Sequence, residues 1–326
     1  MHMSDALLNP AVSLTMTGVS IATLGIACYK IRKMPDFHEK LPLLAMAGAF
    51  VFAAQMINFT IPGTGSSGHI GGGLLLACLL GPYPAFVTLS VVLLVQCLLF
   101  ADGGLLALGC NIFNMGFIPC LIVYPLLKPW MARRVIGAIM SGALITLPLG
   151  AFAVVVQTTL SQITALPFVP FLQLMIPIHL AIALGEGLAT AAVVTFIAKT
   201  QPGLLDLPVD SQQISDLKLS KTAIIAILGV TAICLGIGIS AFASSLPDGL
   251  EWAILNTTGD TELPLPSQAI FAEAQTIQNQ TSVFPDYDSN HIPGGSYLAA
   301  AIGLIVTCGL AFGLGRIFSK KTSKTA

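Results

Sequence analysis

The sequence predicts an all-α polytopic membrane protein, a seven-helix bundle followed by a two-helix accessory domain. Of its 326 residues, 55% are hydrophobic and only 9% are charged, so a water-soluble fold would expose too much apolar surface. The charged residues are bunched between apolar runs of about 18 to 25 residues, each long enough to cross a hydrocarbon core of about 30 Å as a helix. Clusters of Lys and Arg after some runs set the orientation. About nine spans are therefore predicted.

The first two spans place the amino terminus outside the membrane. Residues 11–28 form the first span, and the cationic stretch 30–40 that follows is predicted to be cytoplasmic. The second span, 41–59, returns the chain to the outer face at the glycine-rich loop that contains His69. Met1 is expected to remain in the mature protein, because the cationic region typical of a cleaved signal peptide is not found before the first apolar run.

Five more spans complete the first domain. Residues 71–80 are too few to cross the membrane at about 1.5 Å of rise per residue. This span is therefore expected to begin near Gly68 and to lie recessed in the bundle, which leaves room for a pocket. Cationic residues at 128–134 and 199 end the fifth and seventh spans on the cytoplasmic side. The other four spans are predicted over 85–100, 105–127, 135–158 and 171–198.

A change of composition separates two domains. Residues 201–221 combine prolines with charged residues, which indicates a cytoplasmic linker. Residues 1–200 before it form the seven-helix domain, and residues 222–326 after it form the accessory domain with a cytoplasmic carboxyl terminus. The accessory spans are predicted over 222–243 and 296–318, with a polar external segment over 244–295.

The opening Met1-His2 can chelate a metal ion. The terminal amine, the peptide nitrogen of His2 and the His2 imidazole form two fused chelate rings and leave one in-plane position, which suits His69. Four nitrogens in a plane favour Ni(II) or Cu(II), and such a site can also take Co(II). Glycines around His69 let the backbone approach a small ion. The alternatives are that His2 merely follows the initiator Met and that His69 is incidental to a flexible loop.

Polar residues inside spans are costly, and by default they indicate function. Four of them cluster around the predicted external turn 101–104, where they could orient His2 and His69. The alternative is interhelical hydrogen bonding that holds the bundle together. The four residues are Gln96, Asp102, Asn111 and Asn114.

His179 and Glu186 fall two helical turns apart on one face of the seventh span. They could form a proton relay or an ion path. A structural role is favoured, because the chelate and His69 already complete a planar site. His38 and His291 are interpreted as solvated, and the seven cysteines as small core residues.

Small residues form a ridge on the second span at Ala45, Ala49 and Ala53. Such a ridge lets another helix approach closely, and that helix could belong to this chain or to a separate protein.

Other function classes find no support in the sequence. It has no basic patch interleaved with aromatics, which argues against a nucleic-acid partner. It also has no P-loop and no set of nucleophile, base and orienting residue, so the chain is not expected to hydrolyse ATP or to be an enzyme.

Several segments carry a family resemblance. They are Met1-His2, Gly63-Thr64, His69-Ile-Gly-Gly, Leu80-Gly-Pro, Gln96, Phe100-Ala-Asp-Gly-Gly and residues 107–116. Together they resemble the substrate-binding membrane component of cobalt and nickel energy-coupling-factor transporters over about residues 1–200. Pro247-Asp-Gly-Leu-Glu251 resembles the small accessory membrane subunit of the same systems, fused here at the carboxyl end.

The resemblance implies capture of Ni(II) or Co(II), as transported substrate, through Met1, His2 and His69 at the outer face of a bacterial-type inner membrane. It implies no catalytic cofactor. The expected partners are membrane lipid, a transmembrane coupling protein, which would meet the ridge on the second span, and two cytoplasmic ATPase subunits. Nickel is favoured over cobalt, since Asp5 and the Pro-Asp-Gly-Leu-Glu segment resemble nickel-type members. The alternatives are a membrane metal sensor or assembly protein that binds the ion without moving it, and an intramembrane metalloenzyme.

Overall fold

The computed structural model describes residues 1–207, 218–287 and 295–319. Within these ranges, eight helices are long and apolar enough to cross a membrane. The predicted class, an all-α multi-pass membrane protein, is confirmed. The third predicted span, 71–80, is instead a short buried helix. The eight long helices are Pro10–Arg32, Phe37–Gln55, Pro82–Phe100, Leu108–Met131, Val135–Ser161, Phe168–Thr200, Lys221–Gly238 and Gly295–Phe318.

We number the elements in chain order. The first part of the chain contains α1 (Pro10–Arg32), α2 (Leu41–Gln55), β1 (Phe59–Ile61), β2 (Ser66–Gly68), α3 (Gly73–Leu80), α4 (Pro82–Phe100), α5 (Leu108–Ile112), α6 (Tyr124–Met131), α7 (Val135–Ser161) and α8 (Phe168–Thr200). A π-helix over Phe113–Val123 joins α5 to α6, and β1 pairs antiparallel with β2. The second part contains α9 (Lys221–Ile233), which continues as a π-helix over Cys234–Gly238, then α10 (Gly249–Thr258), α11 (Ala269–Thr281) and α12 (Gly295–Phe318).

The third predicted span is shorter than expected. α3 begins at Gly73 rather than near Gly68, because the residues between them are held out of the helix. Gly71 N and Gly72 N donate to the Glu186 carboxylate at 2.8 Å and 3.1 Å, and Gly72 has a φ of +74°. All eight residues of α3 are buried, and they cover only about 12 Å. The segment is recessed within the bundle, as the sequence indicates.

Local signals in the sequence set several helix ends. Asn9 Oδ1 accepts the N–H of Val12 at 2.8 Å, which caps the start of α1. Gly81, with a φ of +88°, separates α3 from α4. Asp248 and Glu251 form a reciprocal capping box at the start of α10.

The small-residue ridge of α2 packs inside this chain. Ala45, Ala49 and Ala53 are buried, and α12 and α9 lie against α2. A Cβ added to Gly236, in the π-helix after α9, would lie 3.5 Å from the Ala53 Cβ. Of the two partners that the sequence leaves open, the structure shows the internal one.

All seven cysteines are free thiols. Four of them are buried, whereas Cys234 is exposed on the apolar helix surface, so the predicted core role is wrong for that residue. His38 is exposed, as predicted, and His291 lies outside the described residues.

Asp206 anchors the start of the predicted linker to the first part of the chain. Its Oδ2 accepts hydrogen bonds from Lys128 Nζ at 2.6 Å and Tyr124 OH at 2.9 Å. Its N–H donates to Cys78 O at 2.8 Å. This cluster lies at the end of the bundle opposite the amino terminus.

Candidate metal centre

His69 lies in a buried loop that follows the β1–β2 hairpin. Its Nε2 is 3.3 Å from the Met1 amine nitrogen, and its Nδ1 is 3.1 Å from Ile70 O. When Nδ1–H donates to that carbonyl, Nε2 carries the lone pair that a metal ion needs. Glu186 fixes the loop by accepting the main-chain N–H groups two and three residues further on. These contacts hold His69 Nε2 toward the amine.

The amino-terminal segment, residues 1–9, is fixed by hydrogen bonds to the α4–α5 connection and to α5. Met3 N donates to Asn111 Oδ1 at 2.8 Å, and Asn111 Nδ2 donates back to Met3 O at 3.2 Å. Asp5 Oδ1 accepts the N–H of Ala107 at 2.9 Å. A Cβ on Gly104 would overlap the Asp5 carboxylate, so the close approach requires glycine there. The two residues before Met3 are positioned by these contacts.

The spacing of Met1 and His69 fits two ligands on one ion. Two nitrogens bound side by side to a metal at about 2 Å lie about 3 Å apart, close to the 3.3 Å between Met1 N and His69 Nε2. The His2 and His69 rings stack with centroids 5.2 Å apart and 14° between their planes. His2 Nδ1 is 3.1 Å from Asp102 Oδ1. Closing the chelate ring through Nδ1 therefore requires the imidazole to turn away from Asp102.

Both histidines are poised as neutral imidazoles. Burial, the terminal ammonium and the neighbouring His2 lower the pKa of His69 to about 3. Burial also lowers the pKa of His2, although the nearby Asp102 carboxylate opposes that shift. Neutral imidazole is the form that binds metals, so neither ring has to lose a proton first at neutral pH.

The four polar residues around the turn 101–104 have different partners. Asp102 contacts His2, and Asn111 holds Met3. Asn114 forms two hydrogen bonds with Gln157, at 2.8 Å and 2.9 Å, which is the bundle-holding alternative. Gln96 is fully buried, and neither of its amide atoms has a hydrogen-bond partner in the described part of the chain.

Asp248 reaches this centre from the second part of the chain, and sequence reasoning missed it. Its Oδ2 is 2.6 Å from the Met1 amine, while its Oδ1 accepts the N–H groups of Leu250 and Glu251 at the start of α10. Burial alone would raise the pKa of Asp248, but the terminal ammonium, the nearby His69 and these hydrogen bonds hold it well below its usual range. The only signal in the sequence was the helix-start pattern Asp-Gly-Leu-Glu.

The corner around Asp248, residues 247–252, also forms hydrogen bonds with the β1–β2 hairpin. Ser67 N donates to Pro247 O at 2.8 Å, and Trp252 Nε1 donates to Thr64 O at 2.9 Å. The hairpin that precedes His69 is thereby tied to the segment that carries Asp248.

A second set of contacts reaches the turn 101–104. Tyr287 OH donates to Asp102 Oδ2 at 2.5 Å, and Gln278 Nε2 donates to Gly103 O at 2.7 Å. Asp102 is therefore shared between His2 and a tyrosine of the second part of the chain.

A cavity of about 600 Å³ lies over the centre, and several carboxylate side chains line it. His2 and His69 line it, and no Lys or Arg is among the described residues that do so. A negatively charged cavity of this kind concentrates cations near its walls. Its acidic lining residues are Asp5, Asp102, Asp248, Glu251, Glu262 and Asp286.

Side chains alone do not make a metal site here. Across residues 1–207, 218–287 and 295–319, no group of three or more His, Cys, Asp or Glu side chains could hold an ion. A metal centre at this position depends on main-chain nitrogens as well.

Two family profiles match this chain. One, described as "Cobalt uptake substrate-specific transmembrane region", matches residues 2–204, and the other, described as "PDGLE domain", matches residues 222–320.

Individual proteins give a similar picture. "Putative fused nickel transport protein NikMN" of Archaeoglobus fulgidus is 30% identical over 97% of this chain and 98% of its own length. "Fused nickel transport protein NikMN" of Rhodobacter capsulatus is 38% identical over 36% of this chain and 33% of its own. A crystal structure of a transition metal transporter is 28% identical, with a TM-score of 0.54, covering 61% of this chain and 93% of that one.

Proposed function

Because the chain belongs to the cobalt uptake substrate-specific transmembrane family, we propose that it captures Ni(II) or Co(II) at the outer face of the membrane for uptake. The ligands are the Met1 amine, the peptide nitrogen and imidazole of His2, and His69 Nε2. The observation that carries this proposal is the 3.3 Å separation of the Met1 amine from His69 Nε2, beside the His2 ring. Nickel is favoured over cobalt, because four nitrogens in a plane suit Ni(II).

Charge balance supports such a site. Binding through the amine and the peptide nitrogen releases one proton from each, while one divalent ion enters. The net charge of the site is therefore unchanged, with Asp248 and Asp102 present in both states. The ion pair between Met1 and Asp248 is exchanged for attraction between the bound cation and the same carboxylate. A buried site that keeps its net charge avoids the large cost of an unbalanced charge.

We assign three parts to the chain, a metal-binding domain over 1–200, a linker over 201–221 and an accessory domain over 222–326. The accessory domain closes the outer side of the site through Asp248 and Tyr287. This role is supported by their contacts to Met1 and Asp102.

The orientation follows from the distribution of positive charge. No Lys or Arg occurs in residues 1–29, 41–127, 135–198 or 222–315. No Lys or Arg is among the described residues that line the cavity over the metal centre, and by the positive-inside rule this supports an external centre and a cytoplasmic carboxyl terminus. A transmembrane coupling protein and two cytoplasmic ATPase subunits supply the energy, since the sequence has no P-loop of its own.

The test is metal uptake by cells that express the chain with and without a coupling protein and ATPase subunits of a nickel or cobalt system. Competing Ni, Co, Zn and Cu ions identify the preferred ion. Uptake that requires the partners and is suppressed best by Ni supports the proposal. Binding of the metal to the purified chain without uptake in any combination would favour a membrane metal sensor instead.

A further inference from the structure

His179 is a buried imidazole with one free nitrogen. It lies within α8 and is 1% exposed. Its Nδ1 is 2.8 Å from Met175 O, while its Nε2 has no hydrogen-bond partner among the residues that the structure describes. With Nδ1–H donating to the Met175 carbonyl, Nε2 carries an unused lone pair. An unpartnered buried nitrogen is costly, so its presence here calls for an explanation.

Glu186, on the same helix face, differs from His179. Both of its oxygens accept main-chain N–H groups of the loop after His69. The acid is therefore committed to positioning that loop, as the favoured structural role predicts. Only the imidazole of the pair remains available to an ion.

The free nitrogen faces a small cavity beside the proposed chelate. The cavity measures about 20 Å³, room for about one water molecule or one ion. Met1 and His69 line it together with His179. Met115 also lines it, so two thioether side chains, those of Met1 and Met115, belong to the lining. Imidazole nitrogen and thioether sulfur both bind late first-row metal ions.

Gly249, at the start of α10, lines one side of this cavity. A Cβ at that position would lie 3.1 Å from His179 Cε1 and 3.4 Å from His179 Nε2, and 2.9 Å from Ile182 Cδ1. A side chain there would fill the space in front of the free nitrogen. The glycine after Asp248 therefore keeps His179 Nε2 accessible from the cavity.

We propose that His179 Nε2 is a second coordination position, next to the planar chelate, through which the ion passes as it enters or leaves the chelate. This inference rests on the proposed function. Two fused chelate rings release an ion slowly unless another ligand takes it over. His179 and His69 line the same cavity. An ion held by both would be the intermediate in this transfer.

The test measures exchange rates on the purified full chain. Stopped-flow absorbance of planar Ni(II) gives the rate constants for loading and for release into a chelator. The variant His179→Asn keeps a donor for Met175 O but removes Nε2, and Gly249→Ala fills the space in front of Nε2 while His179 itself is kept. Each is expected to lower both rate constants by a similar factor of at least ~10, with the equilibrium Kd within about twofold, because a transit position lowers a barrier in both directions.

Controls separate this role from a structural one. Thr190→Val alters another buried and unpartnered polar group on α8, outside the cavity lining, and should leave both rates within about twofold. His179→Cys should restore part of the exchange rate, since a thiolate is also a ligand. Unchanged rates in His179→Asn, or faster release alone with a weaker Kd, would overturn the proposal. A wild-type chain that gives no planar Ni(II) absorbance would instead overturn the proposed function.

Discussion

Two segments from distant parts of the chain meet at the Met1 amine, and they contribute in different ways. The amino-terminal segment provides three of the four nitrogen atoms that we propose as ligands. Hydrogen bonds from Met3 N to Asn111 Oδ1 and from Ala107 N to the Asp5 carboxylate hold it in place. The corner around Asp248 provides a carboxylate at 2.6 Å from the amine and a glycine over His179. Three of the four proposed ligands are thus encoded locally, whereas the approach of His69, the compensating charge and the closure of the site come from tertiary structure.

The comparison also explains why the two segments have different sequence signatures. A chelate of amine, peptide nitrogen and imidazole uses adjacent atoms, so two residues are enough to indicate it. A compensating carboxylate has no such constraint, because an electrostatic partner can come from any segment that packs nearby.

Blocking the amine should have the largest effect. One residue added before Met1 turns the amine into a peptide nitrogen and breaks the first chelate ring, so no binding is expected up to millimolar Ni(II). Isothermal titration measures the Ni(II) affinity of the extended chain. The comparison is a carboxyl-terminally tagged chain at equal purity. Equal affinity in the two chains would exclude the amine as a ligand.

Affinity should next depend strongly on pH. The amine and the peptide nitrogen must each lose a proton, so affinity should rise by up to about 100-fold per pH unit between pH 6 and 8. His69, with a pKa of about 3, adds nothing to this slope because it is already neutral there, and burial also lowers the pKa of His2. Titrations in buffers with different ionisation enthalpies should count about two protons released per ion. A count of three or more would mean that a histidine is protonated in the metal-free chain.

Removal of one side-chain ligand should have an effect of intermediate size on Ni(II) affinity. His69→Ala should weaken Ni(II) binding at least ~10-fold and leave the fold intact, because Glu186 still holds the loop through its main-chain N–H groups. The exposed His38→Ala is the matched control and should bind normally. If His69→Ala also bound normally, the fourth in-plane ligand would have to be another group.

Neutralising the carboxylate should have the smallest effect. Asp248→Asn keeps the oxygen that caps α10 but removes the charge, and the Kd should change by less than ~5-fold, since the charge beside Asp248 is similar with ammonium or with bound ion. Glu251→Gln serves as the control for a charge change in the same capping box. A loss as large as that of His69→Ala would make Asp248 a ligand rather than a counter-charge.

Much of the bundle could be predicted from the sequence, because apolar length and charge placement reflect membrane thickness directly. The last span, predicted over 296–318, is observed as Gly295–Phe318, and the span predicted over 171–198 as Phe168–Thr200. The start of α3 could not be predicted, since it depends on Glu186 binding the two glycines before the helix. The π-helix after α5 was equally hidden, because the apolar composition of that span is the same in either helix type.

The candidate site was predictable only in part. Met1, His2 and His69 could be paired because charge bias puts both ends on one face. Asn111 holds the backbone of Met3, whereas Asn114 pairs with Gln157. These different roles could not be predicted from the sequence, because they depend on how the helices pack. The contact of Asp248 joins residues 247 positions apart, and no local pattern reports such a contact.

The anchoring of Asp206 has a consequence for how the two domains find each other. Because Lys128, Tyr124 and Cys78 hold the beginning of the linker, the stretch between that anchor and α9 is short. A short tether keeps the accessory domain at an effective concentration in about the millimolar range around its docking surface. Within one chain, even a weak interface would be occupied nearly all the time. An accessory domain supplied as a separate protein would need a far tighter interface to reach the same occupancy.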